Sequence, residues 1–324
     1  MLAGCGGGST SKSAIPIRYV FKDVTPPGIQ AAVAYLNNKG QVLVNAVQNV
    51  GPSAVVDSQL YSNGSFIDLN KVDPIGHTQG LVINNNGVVL YNNGAISGNP
   101  GGIGTALYDA GTVTQLPTLD SSSNTNIDLS SSGNVLAVVL TGSTQIYKEY
   151  RDGAWADVVA PSGITEYRPI GYSAAGDLIA EADGRIVVRH NGASIDYGTP
   201  PTLGYITAIV GPTGELVGDV LETNGTVLPY ESRPNGSAQP LTTSSSVTYV
   251  MGVNASGLIL GETQPSGRVI LWENRQPHDI TDSLGLPTGW IAVETSKIND
   301  AGQISGTVVL SDRTSHAFVS TPAD

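Results

Sequence analysis

Apolar and polar residues alternate along this chain in short runs that stop at Gly, Asn-Gly or Pro, and the runs return in groups of four. Residues 31–70 show one group. Ala31 to Leu36 is apolar, Asn37-Asn38-Lys39-Gly40 turns, and Gln41 to Val47 returns as the second strand of an inner hairpin. Ser53 to Tyr61 reads as a third strand, Asn63-Gly64 as a tight turn, and Ser65 to Leu69 as a fourth. Asn-Gly supplies the positive φ angles that mirror-image hairpin turns require. Ala110-Gly111, Asp152-Gly153, Asn191-Gly192 and Asn235-Gly236 occupy equivalent outer turns. No stretch carries the 3.6-residue periodicity of an amphipathic helix.

The groups form an internal repeat whose marker is Asn, two residues, Gly, then an apolar strand. Its clearest copies are Val253-Asn254-Ala255-Ser256-Gly257-Leu258-Ile259-Leu260-Gly261 and Ile298-Asn299-Asp300-Ala301-Gly302-Gln303-Ile304-Ser305-Gly306. Aligning on the first Gly gives Gly40, Gly87, Gly133, Gly176, Gly214, Gly257 and Gly302, spaced by 47, 46, 43, 38, 43 and 45 residues. Four short strands per unit at a period of about 40 to 50 residues is the signature of a β-propeller. The expected fold is therefore all-β: seven four-stranded blades in one domain, residues 14–324. From Gly302 the last unit has room for a second strand (Gln303 to Leu310) and a third (Ser315 to Ser320), but none for a fourth. Ile17 to Thr25 resembles a fourth strand without a unit of its own. Pairing it beside residues 315–320 closes the ring and removes the two open edges that would invite aggregation.

Composition narrows the partners more than the fold. Only 13% of the 324 residues are charged, the formal charge is -12 and the pI is near 4.6. Phosphate backbones are repelled by such a field, and the 15 Lys and Arg form no run, so nucleic acid is excluded as an expected partner. No apolar run approaches the ~20 residues that span a bilayer.

The one cysteine, Cys5, rules out an intramolecular disulfide. Leu2-Ala3-Gly4-Cys5 resembles the bacterial lipobox, at which a lipoprotein signal peptide is cut and the new N-terminal Cys acylated. Gly6 to Ser13 then reads as a flexible tether, so residues 1–13 are expected to be a lipobox remnant and linker. The charged and apolar regions of a signal peptide do not precede Leu2, so either the start is misassigned or the chain as given begins late.

At His316-Ala317-Phe318 the last unit is similar to the HAF family of probable extracellular repeats. That family's repeat runs as an Ile/Val-Asn-x-x-Gly turn, a strand ending in Gly, a short loop, then His-Ala-Phe and often an apolar-Trp pair. Residues 297–319 carry nearly all of this, and Gly252-Val253-Asn254, Gly257, Gly261 and Leu271-Trp272 carry it in the preceding unit. Ser131-Ser132-Gly133, Ala174-Ala175-Gly176 and Pro212-Thr213-Gly214 depart from it. The resemblance implies a propeller-like bacterial envelope protein and no particular ligand or reaction.

Catalytic and metal signatures are sparse. His77, His190, His278 and His316 fall in different units without ligand spacing; only His77 is placed on an interblade face. There is no Gly-x-Ser-x-Gly elbow, and Gly98 to Gly104 lacks the Lys and helix of a phosphate loop. The acidic pairs Asp219 with Glu222 and Glu262 with Glu273 would serve acid-base chemistry only if the fold brought them together. No metal and no cofactor is expected. Counting eight residues before each aligned Gly gives Ala32, Gln79, Thr125, Arg168, Ile206, Tyr249 and Glu294, expected near the starts of the innermost strands, at the channel mouth. Tyr167, Tyr205 and Trp290 lie beside them. Aromatic faces next to hydrogen-bonding groups suit sugars or extended peptides, so the candidate ligand-binding residues are Gln79, Tyr167, Arg168, Tyr205, Tyr249, Trp290 and Glu294.

The expectation is a monomeric, non-enzymatic lipoprotein of the bacterial envelope. It is held at the outer membrane or cell surface by a lipid on Cys5, and it binds polysaccharide or an envelope protein. The alternatives are an adaptor for envelope-complex assembly and a polysaccharide-acting enzyme that uses mouth carboxylates or Tyr groups.

Overall fold

The computed structural model describes residues 15, 16, 18–50, 53–94, 104–119, 124–190, 193–199, 205–243, 245 and 247–323. They form seven four-stranded antiparallel sheets arranged as the blades of a β-propeller. The innermost strands, from blade 1 to blade 7, are Gln30–Leu36, Gln79–Ile83, Asn124–Leu129, Tyr167–Tyr172, Tyr205–Val210, Thr248–Val253 and Trp290–Ile298. Blade 1 continues through Val42–Val50, Ser53–Ser62 and Ser65–Asp68, close to the segments expected from alternation. A single helical turn, Leu69–Val72, follows it, capped by the Asp68 carboxylate, which accepts from Asn70 N at 3.1 Å. It is too short to show a helical period. The expected Asn191-Gly192 turn and the 1–13 segment lie outside the described residues.

Blade 7 is composite. Trp290–Ile298, Ile304–Leu310 and Ser315–Pro322 are joined by the N-terminal strand Tyr19–Asp23, in antiparallel register from Tyr19 opposite Pro322 to Asp23 opposite Phe318. The His-Ala-Phe tripeptide is the socket for this strand. His316 Nδ1 lies 2.8 Å from Asp23 Oδ2, Ala317 N donates to Thr25 Oγ1 at 2.9 Å, and the Phe318 and Phe21 rings stack at 5.6 Å. The second glycine of the repeat has a steric reason as well. A Cβ on Gly306 would lie 2.9 Å from Phe318 Cε1, and one on Gly261 would lie 2.5 Å from Trp272 Cζ3.

The repeated Asn is a clasp between blades. Asn37 Oδ1 accepts from Lys39 N and Gln41 N, each at 3.0 Å, which shapes its own turn. Its Nδ2 donates to Asn84 O of the next blade at 3.0 Å. Asn84 repeats this toward Ser130 O at 2.8 Å, Asn254 toward Asn299 O at 3.3 Å, and Asn299 toward Asn37 O at 3.0 Å. The chain of clasps runs from blade 6 through blades 7, 1 and 2 to blade 3, and it crosses the seam. All four side chains are buried, so each amide satisfies donors and acceptors that water cannot reach. In blades 3 and 4, Ser130 and Ser173 keep the turn half of the role, accepting from Asn134 N and Asp177 N, but lack the outward donor. Gly211 of blade 5 has neither.

Apolar burial lies between neighbouring sheets. Leu43 and Leu60 of blade 1 pack with Ile83 and Tyr91 of blade 2, and Val217 of blade 5 packs with Val250 and Trp272 of blade 6. Every innermost strand carries one unpaired residue: Ala32, Leu81, Ile127, Ile170, Ile206, Met251 and Ser296, with a further one at Ile291. Such bulges increase the local twist and re-aim the residues that follow.

Asn299→Ala removes the seam clasp and leaves the amides of Ala301 and Gln303 without their acceptor, for an expected loss of about 2–4 kcal/mol in urea denaturation. Asn299→Ser, which reproduces the arrangement at Ser130 and Ser173, should recover part of that loss. Equal losses in the two variants would assign the whole effect to the clasp and none to the turn.

Candidate functional site

Antiparallel order fixes the two faces of the disk. The turns between first and second strands share one face, joined by the Asn clasps. The links from fourth to first strands and the turns between second and third strands share the other, the mouth. Gln79 opens its strand opposite Asn92, and Tyr205 opens the inner strand of blade 5. Tyr167 and Arg168 line a mouth pocket of about 280 Å³ with Gln145, Tyr147, Glu166 and Glu181, in which Arg168 Nε approaches Glu181 Oε2 at 3.5 Å. Tyr249 pairs across the sheet with Glu262, whose neighbours include Glu294. Trp290 packs on the core of blades 6 and 7. The seven candidates thus fall into separate groups around the mouth. Gln79, Arg168, Tyr249 and Glu294 hold equivalent positions on four different blades, so the ring itself keeps them apart; in blades 1 and 5 the unpaired residue, Ala32 or Ile206, is itself the residue eight before the Gly, whereas elsewhere it falls six before, so there the count lands on a bulge.

Two carboxylates on the mouth side of their strands hold blades together. Asp219 Oδ2 accepts from Val250 N at 2.9 Å, and Glu262 Oε2 accepts from Thr295 N at 2.8 Å. Burial, with the negative charge of Glu294 added, pushes the Glu262 carboxyl above its ordinary value. Glu262 and Glu273 do not meet: Glu262 pairs with Val269, whereas Glu273 lies beyond the Ile259–Trp272 pair at the other end of the blade. Asp157 and Asp279 form ion pairs with Lys148 and Arg268, and Asp23 lies within hydrogen-bond distance of His316. His190 Nδ1 lies 2.9 Å from Asp177 Oδ1, and His278 is exposed on an outer strand. His77 adopts φ 49°, and its buried Nδ1 has no hydrogen-bond partner. Among the described residues no three His, Cys, Asp or Glu side chains form a group able to hold a metal ion.

Two recesses were not evident from the aligned count. The larger, about 620 Å³, opens between blades 5 and 6 on the turn face and is lined by Glu215, Glu231, Glu273, Arg233 and Arg275 among others. It lies where Gly211 offers no clasp. Glu215 takes up part of that space, since a Cβ on Gly211 would lie 2.5 Å from its Oε1. The second recess is the central channel, about 300 Å³, walled by Val82, Ile170, Ile209 and Met251, with Asn38, Asn84 and Asn85 at its rim and Asp128, Lys297 and Asp300 as its charged groups. Asp128 Oδ2 accepts from Tyr172 N at 2.7 Å and Oδ1 from Leu129 N at 2.8 Å. Burial raises the Asp128 carboxyl and lowers the Lys297 ammonium, while each partly offsets the other's shift by attraction. The sequence did hold a signal. Five residues before each Gly stand Tyr35, Val82, Asp128, Gly171, Ile209, Gly252 and Lys297, a row that is otherwise uncharged.

Asp73 in the link from blade 1 to blade 2 gathers four donors. Its Oδ2 accepts from Tyr91 Oη at 2.6 Å, Asn93 Nδ2 at 2.8 Å and Gln115 Nε2 at 3.2 Å, and Oδ1 accepts from Ile75 N at 2.7 Å. Burial alone would raise this carboxyl, but the four hydrogen bonds outweigh it and hold it below the ordinary value. A depressed carboxylate adds stability above its unfolded pKa of about 3.9 and loses it as pH falls through the folded value. Asp73→Asn is therefore expected to cost about 2–3 kcal/mol at pH 7. The gap from the native chain should narrow below about pH 4. A gap unchanged down to about pH 2.5 would show that Asp73 carries no such linkage.

No family model matches this chain, and no curated protein matches it. Solved structures similar to it share the architecture. A YCF48 structure bound to D1 peptide has a TM-score of 0.56 at 10% identity, covering 95% of this chain and 96% of that one. A prolyl endopeptidase has 0.58 at 12% identity, covering 95% and 49%. The Pyrococcus horikoshii acylaminoacyl peptidase has 0.52 at 11% identity, covering 86% and 50%, so this chain spans about half the length of either peptidase. At these identities the likeness is one of fold, and the fold to which the chain belongs is the seven-bladed β-propeller.

Proposed function

We propose that this chain is a non-catalytic binding and scaffold propeller of the bacterial cell envelope, tethered by a lipid on Cys5 and docking a protein partner through its mouth face. The observation that carries the reading is where exposed apolar side chains emerge. Among the described residues seven large apolar side chains are exposed, and all but Val20 stand at the mouth. Val72, Ile75 and Val159 lie in links between blades, Leu140 and Leu221 end second strands, and Ile291 starts an inner strand. Apolar groups on one face with a polar surround mark a protein contact more than a sugar site. Glu166, Asp183 and Glu294 are exposed on the same face, so the partner presents basic and apolar residues there.

Further support comes from the engaged mouth carboxylates, whose oxygens accept backbone amides of adjoining blades, and from the YCF48 propeller, which is bound to D1 peptide. The resemblance to the HAF repeat and the lipobox pattern at Leu2 to Cys5 support the envelope setting and a place in that family.

Capture from envelope extracts with the full chain tests the docking face. Proteins held by the native chain are expected to be lost with Ile75→Ser plus Ile291→Ser and retained by Asn274→Ala on the turn face. Bound carbohydrate lost with Arg168→Ala plus Glu294→Ala would instead establish the glycan reading. With a full signal peptide restored, Cys5→Ser should move the protein from the membrane to the soluble fraction, and unchanged fractionation would reject the anchor.

A further inference from the structure

The central channel holds an unmatched charge. Lys297 projects from blade 7 into a recess of about 300 Å³ whose walls include Val82, Ile170, Ile209 and Met251. Its ammonium has no ion pair or hydrogen bond with a described residue, and its electrostatic partners there are Asp128 and Asp300. Asp300 is already committed at the rim, accepting from Asn38 Nδ2 at 2.5 Å and from Ala255 N at 2.8 Å. Asp128 stands on blade 3, three blades from Lys297 across the seam and four the other way, on the opposite side of the ring. Each of its oxygens accepts one backbone amide and retains lone-pair capacity for another donor. A cation and an anion thus line one recess without a bond between them, among apolar and amide side chains.

Lys297 is half-buried there, and an ammonium withdrawn from water without an acceptor is unfavourable. A ligand carrying the complementary pair of charges removes that cost at both walls. The lining excludes other classes. A simple anion would meet Lys297 but be repelled by Asp128 and Asp300, and a simple cation would meet Asp128 but be repelled by Lys297. A neutral sugar would leave both charges without a partner. An extended peptide exceeds the volume.

We propose that the central channel is a binding site for a small zwitterion, a free apolar α-amino acid, with the ligand carboxylate on Lys297, its ammonium on Asp128 and its side chain against Ile170, Ile209 and Met251. This site is separate from the mouth face and does not depend on the docking reading. The opposing shifts of the two groups fit the same picture, because burial without a ligand disfavours both charged forms.

Isothermal titration of the full chain with L-leucine, L-isoleucine and L-methionine tests it, with 3-methylbutylamine and 4-methylpentanoate as single-charge analogues of leucine. At least one amino acid should bind, and each analogue should bind at least tenfold more weakly. Lys297→Met keeps the length and the apolar stem and should abolish binding while leaving the melting transition cooperative. Asp128→Asn, which keeps an acceptor for Tyr172 N, should weaken the amino acid at least tenfold and 4-methylpentanoate little. Binding of 4-methylpentanoate as tight as that of leucine, binding unchanged in Lys297→Met, or no heat from any of the three amino acids would overturn the proposal.

Discussion

A buried asparagine amide, shared between its own turn and the carbonyl of the next blade, is the interaction on which the ring depends. A propeller blade has no closed core of its own; it buries its faces only against neighbours. Apolar packing is tolerant of small shifts in the angle between two sheets, whereas a hydrogen bond of about 3 Å is not. Four such amides set the spacing of five consecutive blades at their inner ends, and they do so where solvent is excluded and a missing partner is costly. The same Oδ1 atoms that fix the turns orient the Nδ2 donors, so local turn chemistry and long-range assembly are one feature of one side chain.

Closure places a second demand on the molecule, because the seam is the one junction without a peptide link inside the blade. It is secured at both radii. At the inner edge Asn299 clasps blade 1; at the outer edge His316, Ala317 and Phe318 receive the N-terminal strand through two hydrogen bonds and a ring stack. The chain position of the best-formed repeat follows from this. Blades 6, 7, 1 and 2 around the seam keep the turn Asn, whereas blades 3 to 5, away from it, hold Ser130, Ser173 and Gly211 in the same place.

The architecture was legible because each device that builds it is local and repeated: an Asx turn, a Gly under an aromatic, an Asn-Gly reversal. Even the composite blade could be read, as a missing strand at one end and a surplus strand at the other. The candidate site was less legible. Tyr167 and Arg168 do share a pocket, but Gln79, Tyr249, Trp290 and Glu294 stand on other blades around the mouth, and at Ala32 and Ile206 the fixed count lands on a bulge. The glutamates of the interblade cleft, 215, 231 and 273, are separated by pairing geometry that no short spacing encodes.

In a repeat protein, positions that recur from unit to unit are used to build the unit, so recognition has to come from positions that break a row. The row five residues before each turn glycine is the clearest instance: Val82, Gly171, Ile209 and Gly252 leave the channel apolar and open, and Asp128 and Lys297 place opposite charges on separate walls of it. Asp128 also joins blade 3 to blade 4 by accepting from Tyr172 N. Lys297 makes no bond with a described residue that would explain an ammonium there, and its burial works against its charged form. Val82, Gly171, Ile209 and Gly252 build the same strand position without a charge, which is why the lysine points to a ligand rather than to the ring.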